Sequence, residues 1–300
     1  MSRRLRTVLH CLPLGLLALV IAREKPWTAG FPRDVPWAMA ATVLLNFAVY
    51  LPLKAARWRV ALNDPPPFRQ VLAATIEGLL ANAAIGYGSG DLVRSANLRL
   101  QKGQISADYA CTWAERGAEF LALAVLTFFT AVVLRLGWAA IGFSLLGIAG
   151  YAVVLGAGRS LLPRLRRWPR VQLALAAGLQ ASLPRRVALM ALLSLLGWAS
   201  EIAMLIAFQW AFHLPTSFTM ALLTLVGINA AIVIPTLPGN FGTFEAGATM
   251  AMVMCGAPRD TAMLFAVTYH LTHVIPVAVV ATAVYTLRSL RRRAQPERRS

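Results

Sequence analysis

The sequence predicts an all-α fold, a polytopic membrane helix bundle of about 7–9 hydrophobic segments with two re-entrant elements broken by glycine and proline. Composition is the first reason, since 58% of the residues are hydrophobic and 14% are charged, against roughly half and a quarter in soluble domains. The second reason is that apolar stretches of bilayer-spanning length, near 20 residues, recur along the chain. The third is that glycine and proline interrupt two of these apolar stretches. A backbone group freed by such a break finds no water in hydrocarbon, so the break must face protein or a water-filled cavity.

The predicted spans account for most of the chain. They fall at about 6–22, 36–53, 70–86, 109–134, 137–157, 187–211, 218–236 and 259–287, with a shorter apolar stretch at about 241–256. Residues 1–287 are therefore predicted to form a single integral-membrane domain, followed by a basic cytoplasmic tail at 288–300. The first stretch lacks a good small-residue cleavage site and is predicted to be an uncleaved helix.

The charge of the chain is strongly positive and unevenly placed. The formal net charge is +17, with basic clusters such as "RRLR" and "RSLRRR" at the edges of apolar stretches. This pattern follows the positive-inside rule and attraction to anionic lipid. It predicts a multi-pass protein of the cell (cytoplasmic or inner) membrane with both termini cytoplasmic, and a basic cytoplasmic linker after the second span that contains Lys54, Arg57, Arg59 and Arg69. Nucleic acid is not expected as a partner.

One conflict between hydropathy and charge decides the predicted topology. If the stretch at 70–86 crossed the membrane completely, the basic stretch at 159–186 would lie outside, against the positive-inside rule. If the chain enters at 70 and returns to the same side by 90, the later basic loops stay inside. A re-entrant hairpin at 70–90 is therefore predicted. The stretch at 171–184 is too polar to span and is predicted to lie in the membrane interface.

Two breaks occupy corresponding positions in the two halves of the chain. The first, "IGYGSGDLVR", lies in a broken element at about 70–94, and the second, "LPGNFGTFEA", in one at about 232–256. Each is followed about 20 residues later by a long span with polar groups, "WAERGAEF" and "TYHLTHVIP". Interrupted segments at matching positions are typical of transporter binding sites. The two breaks are predicted to enclose one internal polar cavity.

A charged turn lies inside an otherwise apolar span. Glu115 and Glu119 are four residues apart and share a helix face, with Arg116 between them in sequence. About 15 apolar residues follow, slightly short of a full span, so the charged turn is predicted to lie within the membrane. Charged groups cost about 2.5–3.5 kcal/mol at the bilayer centre and are functional candidates there. A charge cluster at the membrane surface stays open as the alternative.

The residues after each break are candidates for holding a lipid head group. A helix that begins near Ser89–Gly90 would offer N–H groups to a phosphate, with Arg94 as a charged partner. Asp91 would favour the same helix N-terminus, and Glu245 occupies the first turn after the second break. Ordinary helix capping stays open as the alternative for both carboxylates.

The last span carries two histidines, His270 and His273, on one face. No HExxH motif or cysteine accompanies them, so they are predicted to be buried or proton-responsive groups, and no metal or other cofactor is expected. Glu77 and Glu201 also lie in apolar surroundings, and the sequence assigns them no partner. The chain carries no P-loop and no GxSxG motif, so we expect that it is not an enzyme.

These motifs resemble those of a known family. "RWRVAL", the glycine-rich break before "DLVR", "ERGAEFLAL" and "LPGNFGTFEAG" are similar to the transmembrane region of the lysylphosphatidylglycerol synthase family, often called flippase-like. The resemblance covers about 40–287. Members typically show P-G-x-x-G-E-x-x-R, then E-R, then P-G-x-x-G-x-x-E, and Y-R in the last span. This chain departs from the pattern at a missing proline, at Asp91 in place of glutamate, and at His270 in place of arginine.

The resemblance implies a set of substrate-binding residues. The positions that match the motifs, together with the neighbouring Glu119, are Gly86, Gly90, Asp91, Arg94, Glu115, Arg116, Glu119, Pro238, Gly239, Gly242, Glu245, Tyr269 and His270. In well-understood relatives this region moves an aminoacylated lipid across the cytoplasmic membrane, and a separate soluble domain makes that lipid. Without a synthase domain, a stand-alone member that makes no lysyl-lipid is expected.

The predicted function is therefore lipid translocation, in which a phospholipid or other polar-headed lipid moves between leaflets. Arg94 and Arg116 would attract the phosphate, and the carboxylates would balance them or meet a cationic head group. Transport is expected to run downhill or on an ion gradient, with Glu115 and His270 as proton carriers. Membrane lipids are the expected partners, and a homodimer and lipid-synthesis enzymes are left open. An integral-membrane enzyme of lipid biosynthesis and a non-transporting scaffold are the alternatives.

Overall fold

The computed structural model describes residues 32–85, 88–98, 105–133, 135, 137–232 and 238–293. Within these ranges every regular element is helical, so the predicted all-α class is confirmed. The predicted first span at 6–22 and the candidate Gly86 lie outside the described residues. The helices are α1 Val35–Leu45, α2 Leu51–Ala61, α3 Phe68–Ile85, α4 Ser89–Leu98, α5 Ile105–Val133, α6 Trp138–Leu161, α7 Pro169–Ala181, α8 Pro184–Ala211, α9 Phe218–Ile232, α10 Thr243–Met254 and α11 Arg259–Arg293.

Four helical stretches in the described part of the chain are long and apolar enough to cross a membrane. They are Val35–Ala61, Ser144–Arg167, Pro184–Ala211 and Arg259–Val284. α9 is apolar but shorter, and α5 is 29 residues long with charged residues in its first half. This pattern is that of a multi-pass membrane protein built from helices of unequal length.

The first described span runs further than the sequence predicts. α1 continues into α2 through a π-helical turn at Asn46–Tyr50, next to Pro52. Proline has no N–H and cannot continue the regular ladder of hydrogen bonds, which accounts for the wider turn. The helix ends at Ala61 rather than near residue 53, so Arg57 lies inside a helix and is buried, not in a basic linker.

The first break lies between α3 and α4. Gly90 packs directly on the backbone carbonyl of Gly78, where a Cβ atom would clash, and its N–H donates to Asn82 Oδ1 at 2.7 Å. Beside it, Ser89 Oγ donates to the carbonyl of Ala81 at 2.8 Å. α4 therefore starts against the last two turns of α3, and glycine is required for that approach.

The second break is a tight turn between α9 and α10. Gly239, Asn240 and Gly242 all have positive φ, at 72°, 58° and 90°, a region that glycine and asparagine enter most easily. A Cβ atom on Gly239 would lie 3.5 Å from the carbonyl oxygen of Ala83, near the end of α3. The turn before α10 thus lies beside the helix that leads into the first break.

The chain divides into two compact units, each made of segments that are discontinuous in sequence. Unit 1 contains Met1–Ala48, Thr75–Val93 and Glu201–Ser300, and unit 2 contains Val49–Ala74 and Arg94–Ser200. In unit 2, small residues of α5 and α7 pack with Trp58 and Met190 into an apolar core. Val71, Ala74 and Leu98 join the same core, so the start of α3 and the end of α4 meet at one place.

Unit 1 is packed around α9, α10 and α11. Gly227 and Gly247 bring α9 and α10 into backbone contact, and Ile228, Ala248 and Ala266 form a small core that includes α11. Close helix contact through small residues is usual in membranes, where packing rather than water exclusion holds helices together. An aromatic cluster also packs on α11, and its rings are Phe208, Phe212, Phe244, Phe265 and Tyr269.

The glycine contact gives a stability prediction. A Cβ atom on Gly247 would lie 2.5 Å from the carbonyl oxygen of Gly227, so Gly247→Ala should force α9 and α10 apart and cost about 1–3 kcal/mol. Gly150→Ala is the matched control, because a Cβ atom there meets nothing within 4 Å. Thermal unfolding in detergent should show a lower midpoint for the first variant alone. Equal midpoints would contradict the close contact.

Candidate functional site

The charged turn of α5 lies at the centre of a buried ion cluster in unit 2. Glu115 is fully buried and is held by two arginines from other helices. Arg57 Nε donates to its Oε1 at 2.8 Å, and Arg94 donates from Nη2 to its Oε2 at 2.5 Å. A buried carboxylate is stable only when it is paired and hydrogen-bonded, and here both oxygens of Glu115 have a guanidinium partner.

The second carboxylate of α5 is more open. Glu119 accepts from Arg57 Nη1 at 2.8 Å and from Arg116 Nη1 at 3.2 Å. The side chains of Glu119 and Arg116 are 19% and 22% exposed, so this end of the cluster is the accessible one. The two carboxylates share a helix face as predicted, and the repulsion between them is offset mainly by Arg57, which bridges both.

Arg57 is a site residue that sequence reasoning missed, as it missed Lys54 and Glu201. It is 5% exposed and contacts Glu115, Glu119 and Ser194 Oγ, the last at 3.0 Å. The sequence contained a signal for it, since it lies in the "RWRVAL" stretch that carries the family resemblance. Its position after an apolar run suggested a cytoplasmic linker instead. Only the continuation of the helix to Ala61 turns its side chain toward α5.

Arg94 makes two contacts that the sequence did not predict. Its guanidinium stacks over the Trp58 ring, 4.6 Å from the ring centroid, and points to Glu115. Stacking on an indole and pairing with a carboxylate are the two contacts for which arginine is suited. At the start of α4, the N–H of Gly90 is bound by Asn82. Arg94 therefore belongs to the ion cluster of α5.

The cluster carries more positive than negative charge. Lys54 interacts electrostatically with Glu119 and joins the three arginines, so four cations face two carboxylates, a net charge of +2 for these six groups. Its members are Lys54, Arg57, Arg94, Glu115, Arg116 and Glu119. Within apolar helices such an excess favours the arrival of an anion. We refer to these six residues as the cationic cluster.

A second polar site lies in unit 1, at the second break. Glu245 caps α10, because its Oε2 accepts the N–H of Gly242 at 2.7 Å. Its other oxygen lies 2.7 Å from Nδ1 of His270, which is 4% exposed and stacks on Phe244 with centroids 4.1 Å apart. Helix capping therefore accounts for one oxygen of Glu245, and the pairing with His270 accounts for the other.

Tyr269 and Glu201 form a further contact in unit 1. The Tyr269 hydroxyl donates to Glu201 Oε2 at 2.7 Å, and His273 Nε2 lies 3.8 Å from the same oxygen. The sequence gave Glu201 no partner, because the contact joins residues 68 positions apart. The structure thus brings four of the predicted residues, Glu115, Glu119, Arg94 and Arg116, into the cationic cluster. Glu245, Tyr269 and His270 lie together in unit 1.

No group of three or more metal-ligating side chains occurs within the described ranges. Pro238, Gly239 and Gly242 shape the turn before α10. Asp91 lies in the first turn of α4, next to Gly90. At these positions the glycines and the proline allow the turns of the backbone. The charged residues, Tyr269 and His270 make the polar contacts.

The helical fold and the buried ion pairs define a polytopic membrane protein with charged side chains paired between its apolar helices. Comparison with protein families shows which one: the chain belongs to the family of the lysylphosphatidylglycerol synthase TM region, whose model matches residues 8–281. The resemblance inferred from the motifs is confirmed, and an integral-membrane, lipid-related function follows from it. Searches of curated proteins and of solved structures give no significant match.

The geometry of the cationic cluster gives a second stability prediction. Glu115→Gln would leave Arg57 and Arg94 facing a neutral amide in a buried site, at a cost of about 3–5 kcal/mol. Glu119→Gln should cost clearly less, because Glu119 is partly exposed. Chemical or thermal unfolding of both variants in the same detergent measures the difference. Equal losses would show that Glu115 is not the centre of the cluster.

Proposed function

We propose that this protein moves a phosphate-headed lipid between the leaflets of its membrane, and that the cationic cluster binds the head group. The observation that carries the proposal is the cationic cluster itself, in which four cations and two carboxylates lie buried or partly buried among apolar helices. Ionisable groups inside a membrane are costly and commonly mark a substrate pathway. A lipid phosphate is the anion most available at that place.

The partly exposed end of the cluster is where a phosphate would enter. Arg116 shares Glu119 with Arg57, and its contact with Glu119, at 3.2 Å, is longer than that of Arg57, at 2.8 Å. An incoming phosphate can replace Glu119 as a partner of Arg116, because arginine binds phosphate and carboxylate with the same planar fork. The released Glu119 would then face any cationic part of the head group.

The deeply buried end of the cluster would hold its arginine side chains in position. Both oxygens of Glu115 are bound by Arg57 and Arg94, so we assign Glu115 a positioning role rather than proton carriage. Of the two proton carriers that the sequence suggests, His270 then fits better, since it is a histidine paired with Glu245. The acyl chains would stay in the bilayer while the head group moves.

A leaflet-accessibility assay tests the proposal. Purified protein in liposomes should increase the fraction of head-group-labelled phospholipid that an external quencher reaches. Arg116→Gln should lower the rate about tenfold or more, because it removes a charge-assisted hydrogen bond worth about 1.5–3 kcal/mol. Arg94→Ala should abolish the increase, and its thermal midpoint shows whether the protein remains folded.

The matched control is Arg170→Gln, which removes the same charge from an exposed position outside the cluster. Its rate should equal that of the unchanged protein. If none of these proteins changes the quenchable fraction with several head groups, lipid translocation is refuted. A product missing from lipid extracts of an Arg116→Gln strain would instead favour a biosynthetic enzyme, and full tolerance of the substitution would favour a scaffold.

A further inference from the structure

Unit 1 contains a second carboxylate–histidine pair, Glu201 and His273, besides Glu245 and His270. Glu201 of α8 and His273 of α11 approach to 3.8 Å between Oε2 and Nε2, and their side chains are only 14% and 17% exposed. Tyr269 holds the carboxylate in place with a hydrogen bond of 2.7 Å to the same oxygen. The sequence assigned no role to Glu201, and the proposed function makes no use of this pair.

The backbone fixes the tautomer of His273. Its Nδ1 lies 2.9 Å from the carbonyl oxygen of Tyr269, and a carbonyl oxygen can only accept, so Nδ1 carries a hydrogen. Nε2 is buried and has no hydrogen-bond partner among the residues that the structure describes. In the neutral ring, Nε2 would therefore direct a lone pair toward an oxygen of Glu201.

Two acceptors that face each other in a buried site are unfavourable unless a proton lies between them. We propose that Glu201 and His273 form a binding site for one proton, held either as imidazolium and carboxylate or as imidazole and carboxylic acid. With the proton bound, the pair is neutral, and the Nε2–Oε2 separation can close to a hydrogen bond by a shift below 1 Å. When the proton leaves, the pair carries a charge of −1 and its two acceptors repel.

The helices that pack on α11 carry few titratable groups in their described residues. Besides His273, those within Thr243–Met254 of α10 and within 264–284 of α11 are Glu245, Tyr269 and His270, and α10 packs on α11. α1 also packs on α11, and α9 packs on α10, and neither contains a titratable residue within Val35–Leu45 or Phe218–Ile232. Glu245 and His270 are bound to each other, at 2.7 Å between Oε1 and Nδ1.

Loss of the proton would act on the contact between two helices. Glu201 lies on α8, and both of its partners lie on α11, so repulsion between Glu201 and His273 weakens that contact. Binding or release of the proton would therefore shift the balance between a tighter and a looser contact of α8 with α11. Its coupling to lipid movement rests on the proposed function, whereas the existence of the proton site does not.

The site is tested by ¹⁵N NMR of histidine-labelled protein in detergent micelles, titrated from pH 4 to 10. The chain has four histidines, and the His273 signal is identified by its loss in His273→Gln. We expect the neutral ring of His273 to be the Nδ1–H tautomer and its Nε2 to titrate. Glu201→Gln should change the titration of the His273 signal, because it removes the carboxylate that shares the proton. His213, exposed in the turn after α8, is the internal control and should not move.

The tautomer and the titration are measured on the unchanged protein, so they decide the matter even if Glu201→Gln fails to fold. A neutral Nε2–H tautomer, or a His273 signal that is constant across the range, would overturn the proposal. So would a midpoint that Glu201→Gln leaves in place. The leaflet-accessibility assay with an imposed pH gradient tests the coupling separately. If the NMR results hold and flux ignores the gradient, the proton site stands and its link to transport is refuted.

Discussion

The carboxylate of Glu115 between Arg57 and Arg94 is the interaction on which the organisation of unit 2 depends. It joins α5 to α2 and α4, and Arg57 extends the connection to Ser194 on α8. Removing one member of such a group leaves a buried charge without its partner, which is far more costly than never burying the group. The ion pairs therefore fix which helix faces meet, while the surrounding alanines let those helices approach.

Unit 1 uses a different chemistry. Two histidines of α11 pair with carboxylates that come from α8 and α10, so each pair contains one carboxylate and one histidine. Such a pair is neutral while it holds one proton and carries a charge of −1 once the proton leaves, so its charge can change with pH. A guanidinium keeps its charge at all physiological pH values and suits permanent anion binding. The two units thus contain groups suited to an anion and to a proton respectively.

The sequence predicted the helical class, the two breaks and the charged turn of α5, because apolar length, glycine and proline, and intramembrane charge are local signals. It could not predict Arg57 or Glu201 as site residues, because their partners lie 58 and 68 positions away. It also placed Arg57 in a linker, since a basic residue after an apolar run usually ends a span. The partner of each charge depends on tertiary packing, which one sequence does not show.

The central claim is that the cationic cluster binds a lipid phosphate, and native mass spectrometry of the purified protein tests it most directly. Phosphatidylglycerol and diacylglycerol with the same acyl chains differ in the phosphate head group and should separate its contribution from that of the chains. The account predicts that the protein retains phosphatidylglycerol and not diacylglycerol, and that Arg116→Gln weakens this binding while Arg170→Gln does not. Equal retention of both lipids, or equal effects of the two substitutions, would contradict it.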